Sequence, residues 1–214
     1  MKKAKFLIVL SIIFIIVGAL TFVIAFASVG WDLKRLSTTT TRYSSFSASD
    51  STLDLSDVDK MDIEGEAMDV EICYGPELSV TYPEVFTRSG KIAVKVKTTV
   101  KNGVLYVSTS TYWLRTFGLF NFSVCKAQIV LPRDKNVDLS VELNTGDVKF
   151  IGDASSKTNY VSIETDTGDV YCSFLSDKIV FAQSDTGKIR VPKTTSGGRC
   201  DITSDTGNIE VVIK

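Results

Sequence analysis

The chain is read as an all-β protein, a β-solenoid-like stack of two-strand repeats of about 20 residues, preceded by one N-terminal transmembrane helix. Three observations predict this. A twelve-residue pattern returns four times, at residues 139–150 (LSVELNTGDVKF), 161–172 (VSIETDTGDVYC), 180–191 (VFAQSDTGKIRV) and 200–211 (CDITSDTGNIEV). Their glycines, Gly146, Gly168, Gly187 and Gly207, lie 22, 19 and 20 residues apart. Apolar residues alternate on both sides of each glycine, and a run of 24 uncharged residues stands near the N-terminus.

The N-terminal elements follow a simple charge pattern. Residues 1–5 carry Lys2, Lys3 and Lys5, and residues 6–29 then run without a charge. At 1.5 Å per residue that run is long enough for a bilayer core of about 30 Å. A cleaved signal peptide is the rival, and Ala25-Phe26-Ala27 resembles a cleavage site. Signal-peptide apolar cores are shorter, about 7–15 residues, which favours a retained anchor. The lysines before the run place the N-terminus in the cytoplasm and the rest outside. This expectation makes the protein a single-pass protein of the cell membrane with an extracytoplasmic β domain.

Residues 30–52 read as a linker, because residues 37–52 hold eleven Ser or Thr and show no apolar periodicity. The β domain is expected over residues 53–214, with repeats clearest at 137–214. Strand patterns fall at residues 58–63, 67–73, 78–82, 92–98, 104–108 and 124–131, separated mostly by Gly or Pro. Asn102-Gly103 between two alternating runs signals a hairpin. Residues 66–72 look like a worn copy of the repeat, with Met68 at the glycine position.

Within each repeat, Leu139/Val141, Val161/Ile163, Val180/Ala182 and Cys200/Ile202 precede the glycine. Val148/Phe150, Val170/Cys172, Ile189/Val191 and Ile209/Val211 follow it. Period-two alternation describes half-buried strands meeting at a turn, where glycine adopts φ > 0 without a Cβ penalty. Asn144, Asp166, Asp185 and Asp205, two places earlier, are expected to hold the turn through nearby backbone N–H groups. Two geometries fit: parallel stacking of equivalent strands, or a hairpin for each copy. Columns of like residues at nearly constant spacing favour the parallel stack.

Composition removes several classes of function. The chain has 214 residues, no histidine and a formal net charge of −1. Without histidine there is no Ser-His-Asp or Cys-His catalysis, and no His-ligated zinc or haem. Beyond residue 36 there are 19 basic and 24 acidic groups, a balance unsuited to nucleic acid. Cys73, Cys125, Cys172 and Cys200 match no zinc or redox spacing. Cys172 and Cys200 occupy apolar columns and read as buried thiols two rungs apart, roughly 10 Å or more, beyond disulfide reach. A Cys73–Cys125 bridge stays open.

Candidate sites are few. Asp166, Asp185 and Asp205 each begin an Asp-Thr-Gly tripeptide, the signature of aspartic proteases, but their recurrence at repeat spacing is explained by turn chemistry. A parallel stack would set the same three carboxylates in a column about 4.8 Å apart, where calcium is the cation such oxygen ligands would take. In the adjacent column Lys188 stands among Asp147, Asp169 and Asn208 and would neutralise it without metal. Tyr112, Trp113, Phe117, Phe120 and Phe122 break the alternation. They read as a cap over one end of the core, or as a contact surface for a bilayer or partner. No acid pair stands apart from the repeat chemistry, so no catalytic residue and no cofactor are assigned.

Taken with the motifs, the chain resembles a bacterial family of membrane-anchored β-strand-repeat proteins regarded as candidate adhesins, among them the LiaG type. The resemblance is carried by residues 67–72 (AMDVEI), 103–107 (GVLYV), 127–132 (AQIVLP) and the four T-G-[DKN]-[VI] turns, within residues 55–214. It implies a surface protein without established catalysis, sometimes associated with cell-envelope stress, and it carries no site residues. The expected function is therefore non-catalytic binding of a cell-envelope component or another membrane protein. The alternatives are a membrane-bound regulator acting through its helix and a polysaccharide-acting β-helix enzyme.

Overall fold

The computed structural model describes residues 2–28, 30, 39–47, 57–87, 90, 92–111, 126–152, 160–174 and 178–214. It is mostly β, with one N-terminal helix, α1 (Lys2–Ser28). The strands are β1 (Thr39–Ser47), β2 (Lys60–Ala67), β3 (Asp69–Gly75), β4 (Ser79–Thr87), β5 (Ile92–Lys101), β6 (Val104–Thr111), β7 (Lys126–Pro132), β8 (Asp138–Thr145), β9 (Val148–Ile151), β10 (Tyr160–Thr167), β11 (Val170–Phe174), β12 (Lys178–Thr186), β13 (Ile189–Arg190), β14 (Gly198–Thr206) and β15 (Ile209–Ile213).

Each repeat forms one strand on either side of its glycine, and equivalent strands pair in parallel. β12, β14, β10, β8, β2 and β6 make one ladder, called sheet A here, and β13, β15, β11, β9, β3 and β7 make the other, sheet B. The register follows the sequence columns: Val161 pairs with Leu139 and Cys200, and Val170 with Val148 and Ile209. The worn copy belongs to the stack, since Val70 pairs with Val148 in the rung that turns at Met68. Inward columns from both sheets form the core, with Ile63, Ile72, Leu105, Ile129, Leu139, Phe150, Ile163 and Ile202 all fully buried.

Two features depart from a solenoid wound rung after rung. The rungs are stacked out of chain order, because β14/β15 lies between β10/β11 and β12/β13, and β2/β3 lies between β6/β7 and β8/β9. At the β6/β7 end the pairing turns antiparallel. β5 pairs with β6 through a tight turn at Asn102 (φ 52°) and Gly103 (φ 75°), the hairpin the sequence signals. β4 then joins both sheets, pairing with β7 at Ser79–Thr81 and with β5 at Val85 and Phe86, where the register shifts.

The segment read as a linker is partly structural. β1 lies within residues 30–52 and pairs antiparallel with β4 over nine residues, Thr39 with Thr87 through Ser47 with Ser79. Its Thr and aromatic residues suit a strand even though the Ser/Thr-rich composition reads as a tether. Ser44 donates a hydrogen bond to Glu84 at 2.8 Å, and Arg42 lies 5.1 Å from the Phe86 ring centroid. One end of the stack is thus covered by β4, β5 and β1. The aromatic segment containing Tyr112, Trp113, Phe117, Phe120 and Phe122, expected as a cap, lies outside the described residues.

Candidate functional site

The turns are the most constrained part of the stack. A Cβ on Gly187 would sit 1.9 Å from the Gly207 carbonyl oxygen; one on Gly207, 1.9 Å from that of Gly168. The same approach links Gly168 to Gly146 and Gly146 to Met68, each at 2.0 Å. Met68 ends this column, with its side chain buried. Backbone bonds run between rungs through the turns: Gly146, Gly168 and Gly207 donate N–H to the carbonyls of Thr167, Thr206 and Thr186, each at 2.9 Å.

Side chains reinforce the same direction. Asp69 Oδ1 accepts from the Asp147 N–H (3.0 Å), Asp147 Oδ1 from Asp169 (2.8 Å), Asp169 Oδ1 from Asn208 (2.7 Å), and Asn208 Oδ1 from Lys188 (3.1 Å). The turn is therefore held by the residue after the glycine. Asp166, Asp185 and Asp205, expected to hold it, are exposed and take no part in those bonds. On the inner side, Ser184 and Ser204 donate to the Gly207 and Gly168 carbonyls at 2.9 and 3.2 Å. These hydroxyls sit at a column that reads apolar at Leu143, and only their recurrence three places before the glycine marks them in the sequence.

Stacking order changes which sequence candidates meet. Thr165 pairs with Ser204 and Ser204 with Ser184, so Asp205 lies between Asp166 and Asp185 in one exposed column. Among the described residues, no three acidic or cysteine side chains group to hold a metal ion. Lys188 is not in the middle of the adjacent column; it ends it, because β12/β13 is the outermost rung. The same insertion puts Cys172 and Cys200 on adjacent rungs rather than two apart, on opposite sheets, both free and fully buried. Cys73 is also free and half-buried; Cys125 lies outside the described residues.

The two outer faces differ in charge. On sheet A, Glu64, Glu142 and Glu164 are exposed on three neighbouring strands in direct register. Among the described residues none of the three has a basic partner. Glu66, Asp166, Asp205 and Asp185 continue the acidic area toward the turns. On sheet B, Glu71 is bracketed by Lys126 and Lys149, the latter at 3.4 Å. The Lys126 hydrogen bond holds the Glu71 carboxyl below its ordinary value against the opposing effect of burial, and Lys149 adds to it. The row continues with Tyr171, Glu210 and Arg190 in alternating character.

At the β12/β13 end, Lys178 is buried with its ammonium 5.6 Å from the Phe174 ring centroid. Burial pushes its pKa down, partly offset by Cys200 and Asp138. Its backbone carbonyl accepts a hydrogen bond from Thr194, which anchors the loop returning to β14.

This arrangement defines a class: a β-repeat domain whose outer faces are made of laterally repeated polar columns, carried behind an apolar helix. Residues 58–213 match the Toastrack DUF4097 family, and the chain belongs to it. Its fold is similar to that of a candidate cell adhesion protein from Clostridium sporogenes, at 12% identity, a TM-score of 0.52, and coverage of 82% of this chain and 100% of the other. A candidate adhesin from Bacteroides fragilis matches at 10% identity and a TM-score of 0.29, covering 81% and 97%. A candidate lipid-binding protein from Parabacteroides distasonis matches at 13% and 0.27, covering 81% and 73%. No curated protein matches the chain in sequence.

Proposed function

We propose that this is a non-catalytic surface protein, held to the cell membrane by α1, whose β domain binds a component of the cell envelope through the outer face of sheet A. The observation that carries this reading is the Glu64–Glu142–Glu164 row: three exposed carboxylates in register on neighbouring hydrogen-bonded strands, at a strand spacing of about 4.8 Å. Such a surface meets an extended cationic partner at several points without closing around it. The candidate cell adhesion protein that shares the fold supports binding over catalysis.

The anchor rests on α1 itself. Ile12, Phe14, Ile15, Leu20, Phe22 and Ile24 are each about half exposed or more, so α1 does not bury that surface against the β domain. Two of its hydroxyls bond within the helix, Thr21 donating to the Val17 carbonyl and Ser28 to that of Ala25 at 2.7 Å. Among the described residues no helix is long and apolar enough to cross a membrane. The backbone of α1 runs 27 residues, about 40 Å at 1.5 Å per residue. In this proposal the N-terminus is cytoplasmic, the domain is extracytoplasmic, and envelope stress is the setting in which to seek its effect.

The test is co-sedimentation of the full chain, reconstituted in vesicles, with isolated cell-envelope fragments. Saturable binding that is lost in the Glu64→Gln/Glu142→Gln/Glu164→Gln variant is expected. Loss in EDTA would add a calcium ion held by Asp166, Asp205 and Asp185; survival in EDTA would remove it. Absence of binding by the folded wild-type chain would sink the adhesive reading and leave the regulator acting through α1.

A further inference from the structure

The two ends of the stack are finished differently. At one end β4, β5 and β1 cover the terminal rung. At the other, β12 and β13 each have a strand on one side only among the described residues. The core is open there. Ile189 and Val191 are 42% and 37% exposed, while Ile209 and Val211, their equivalents one rung inward, are 0% and 5%. Val180 and Ala182 are only half-buried, against 0% and 1% for Cys200 and Ile202. Phe181 is 56% exposed. The turn bonds also stop here. In each inner rung the N–H groups of the glycine and of the residue two beyond it donate to the next rung outward. At the last rung the corresponding donors, on Gly187 and Ile189, have no acceptor among the described residues.

We propose that the β12/β13 edge is a homodimer interface, with the β12 edge of each copy pairing with the β13 edge of the other about a twofold axis parallel to the strands. The charges select a second copy and this axis. The β12 edge presents Asp185, and the β13 edge presents Lys188 and Arg190, with Lys193 just beyond; all are exposed. β12 runs toward the turn and β13 away from it, so this axis makes an antiparallel pair with turn beside turn. It sets the acidic edge of each copy against the basic edge of the other, twice. Ile189 and Val191 of one copy then cover Ala182 and Val180 of its partner. A twofold axis perpendicular to the sheets would instead set Lys188 and Arg190 of the two copies against each other.

The geometry is also self-limiting. An isologous contact uses the open β12/β13 end of both copies at once, so this contact stops at two copies instead of growing into a fibre. Pro192, directly after the short β13, ends the pairing there. β1 starts at Thr39 on the turn side of the stack: Thr39 pairs with Thr87, next to Val85 and Phe86, which pair with β5, and Val94 of β5 pairs with Thr111. Under this axis both chains enter their domains from one side, as two helices in one membrane require. This inference does not rest on envelope binding, which is carried by the Glu64–Glu142–Glu164 row; Asp185, at the margin of that face, is the one residue the two surfaces share.

The test is the mass of the full chain in mild detergent, by light scattering over a dilution series. The wild type is expected as a dimer. Asp185→Lys weakens it at least about tenfold, and Lys188→Asp/Arg190→Asp does the same. An equimolar mixture of these two variants regains the dimer, because every contact is then complementary again. Unchanged far-ultraviolet circular dichroism confirms that each variant is folded. A monomeric wild type at every concentration overturns the proposal. So does a dimer that neither variant weakens, since α1 or another surface would then hold it, and so does a mixture that fails to reassociate.

Discussion

A Cβ added at Gly168 would lie 2.0 Å from the Gly146 carbonyl oxygen and 2.6 Å from its carbon, and neither atom is a flexible side-chain end that could move aside. Gly168→Ala is therefore expected to cost about 3 kcal/mol or more, read as a lower urea midpoint. Gly18→Ala, with nothing within 4 Å, should leave the β domain unchanged; a loss below about 1 kcal/mol at Gly168 would refute the close-packed column. The sequence marks these glycines as turn residues and gives positive φ as the cause, which holds at Gly146 (φ 150°) and Gly168 (φ 158°) but not at the other two. Gly187 and Gly207 lie outside the left-handed region, so it is the approach of the next rung that excludes a side chain. The thiols give a second prediction at this scale. Burial first, then Cys200, pushes Cys172 well above its ordinary value; burial pushes Cys200 up to about 12, with Lys178 opposing and Asp201 assisting. Both should resist alkylation at about pH 8 in the folded chain and react once urea unfolds it. A raised folded pKa adds stability that is complete below the unfolded thiol value of 9.0 and falls as pH rises above it. Urea midpoints should accordingly drop above about pH 9, and fast alkylation of either thiol without unfolding would show that the core is open to solvent.

Among the elements, the column Asp69, Asp147, Asp169, Asn208 and Lys188 stacks three carboxylates at strand spacing, where they repel, while each supplies an acceptor that the next turn needs. Asn208 makes the same bond to Lys188 without charge. Asp147→Asn should keep the bond to the Asp169 N–H and raise stability by about 0.5 kcal/mol, whereas Asp147→Ala should lower it by about 1 kcal/mol. Equal losses in thermal unfolding would mean that the charge itself is required, as a bound cation would demand. β1 carries the next prediction. A chain beginning after residue 52 bares the outer edge of β4 over nine residues, and should aggregate or unfold at lower temperature than the full β domain. Composition hid this strand: eleven Ser or Thr in residues 37–52 give no inward apolar column, and only pairing with β4 makes the segment extended. The repeat strands were legible for the opposite reason, since inward residues such as Val161, Ile163 and Val170 repeat at fixed distances from a glycine.

At the scale of the molecule, the repeat reveals rungs but not their order. Every rung offers nearly the same ladder of donors, acceptors and apolar columns, so β14/β15 fits against β10/β11 as well as β12/β13 would. That equivalence is why Lys188 reads as central and Cys172 and Cys200 as distant, and why the open end was not visible before folding. The placement of β1 also sets how far the domain can stand from a bilayer that holds α1. Helix α1 ends at Ser28 and β1 begins at Thr39, which leaves ten residues between them rather than a linker of more than twenty. Ten residues reach at most about 36 Å when fully extended. Neutron reflectometry on a supported bilayer carrying the full chain should therefore show β-domain density beginning within about 36 Å of the headgroups. Inserting a flexible segment among residues 31–38 should move that layer outward, because the length of chain between α1 and β1 limits the distance. A layer that begins farther out, or one that ignores the insertion, would mean that β1 had left β4 or that α1 is not the anchor. Binding to a partner on the same cell surface needs the short reach; a partner on another cell would be met only by the parts of the domain farthest from the bilayer.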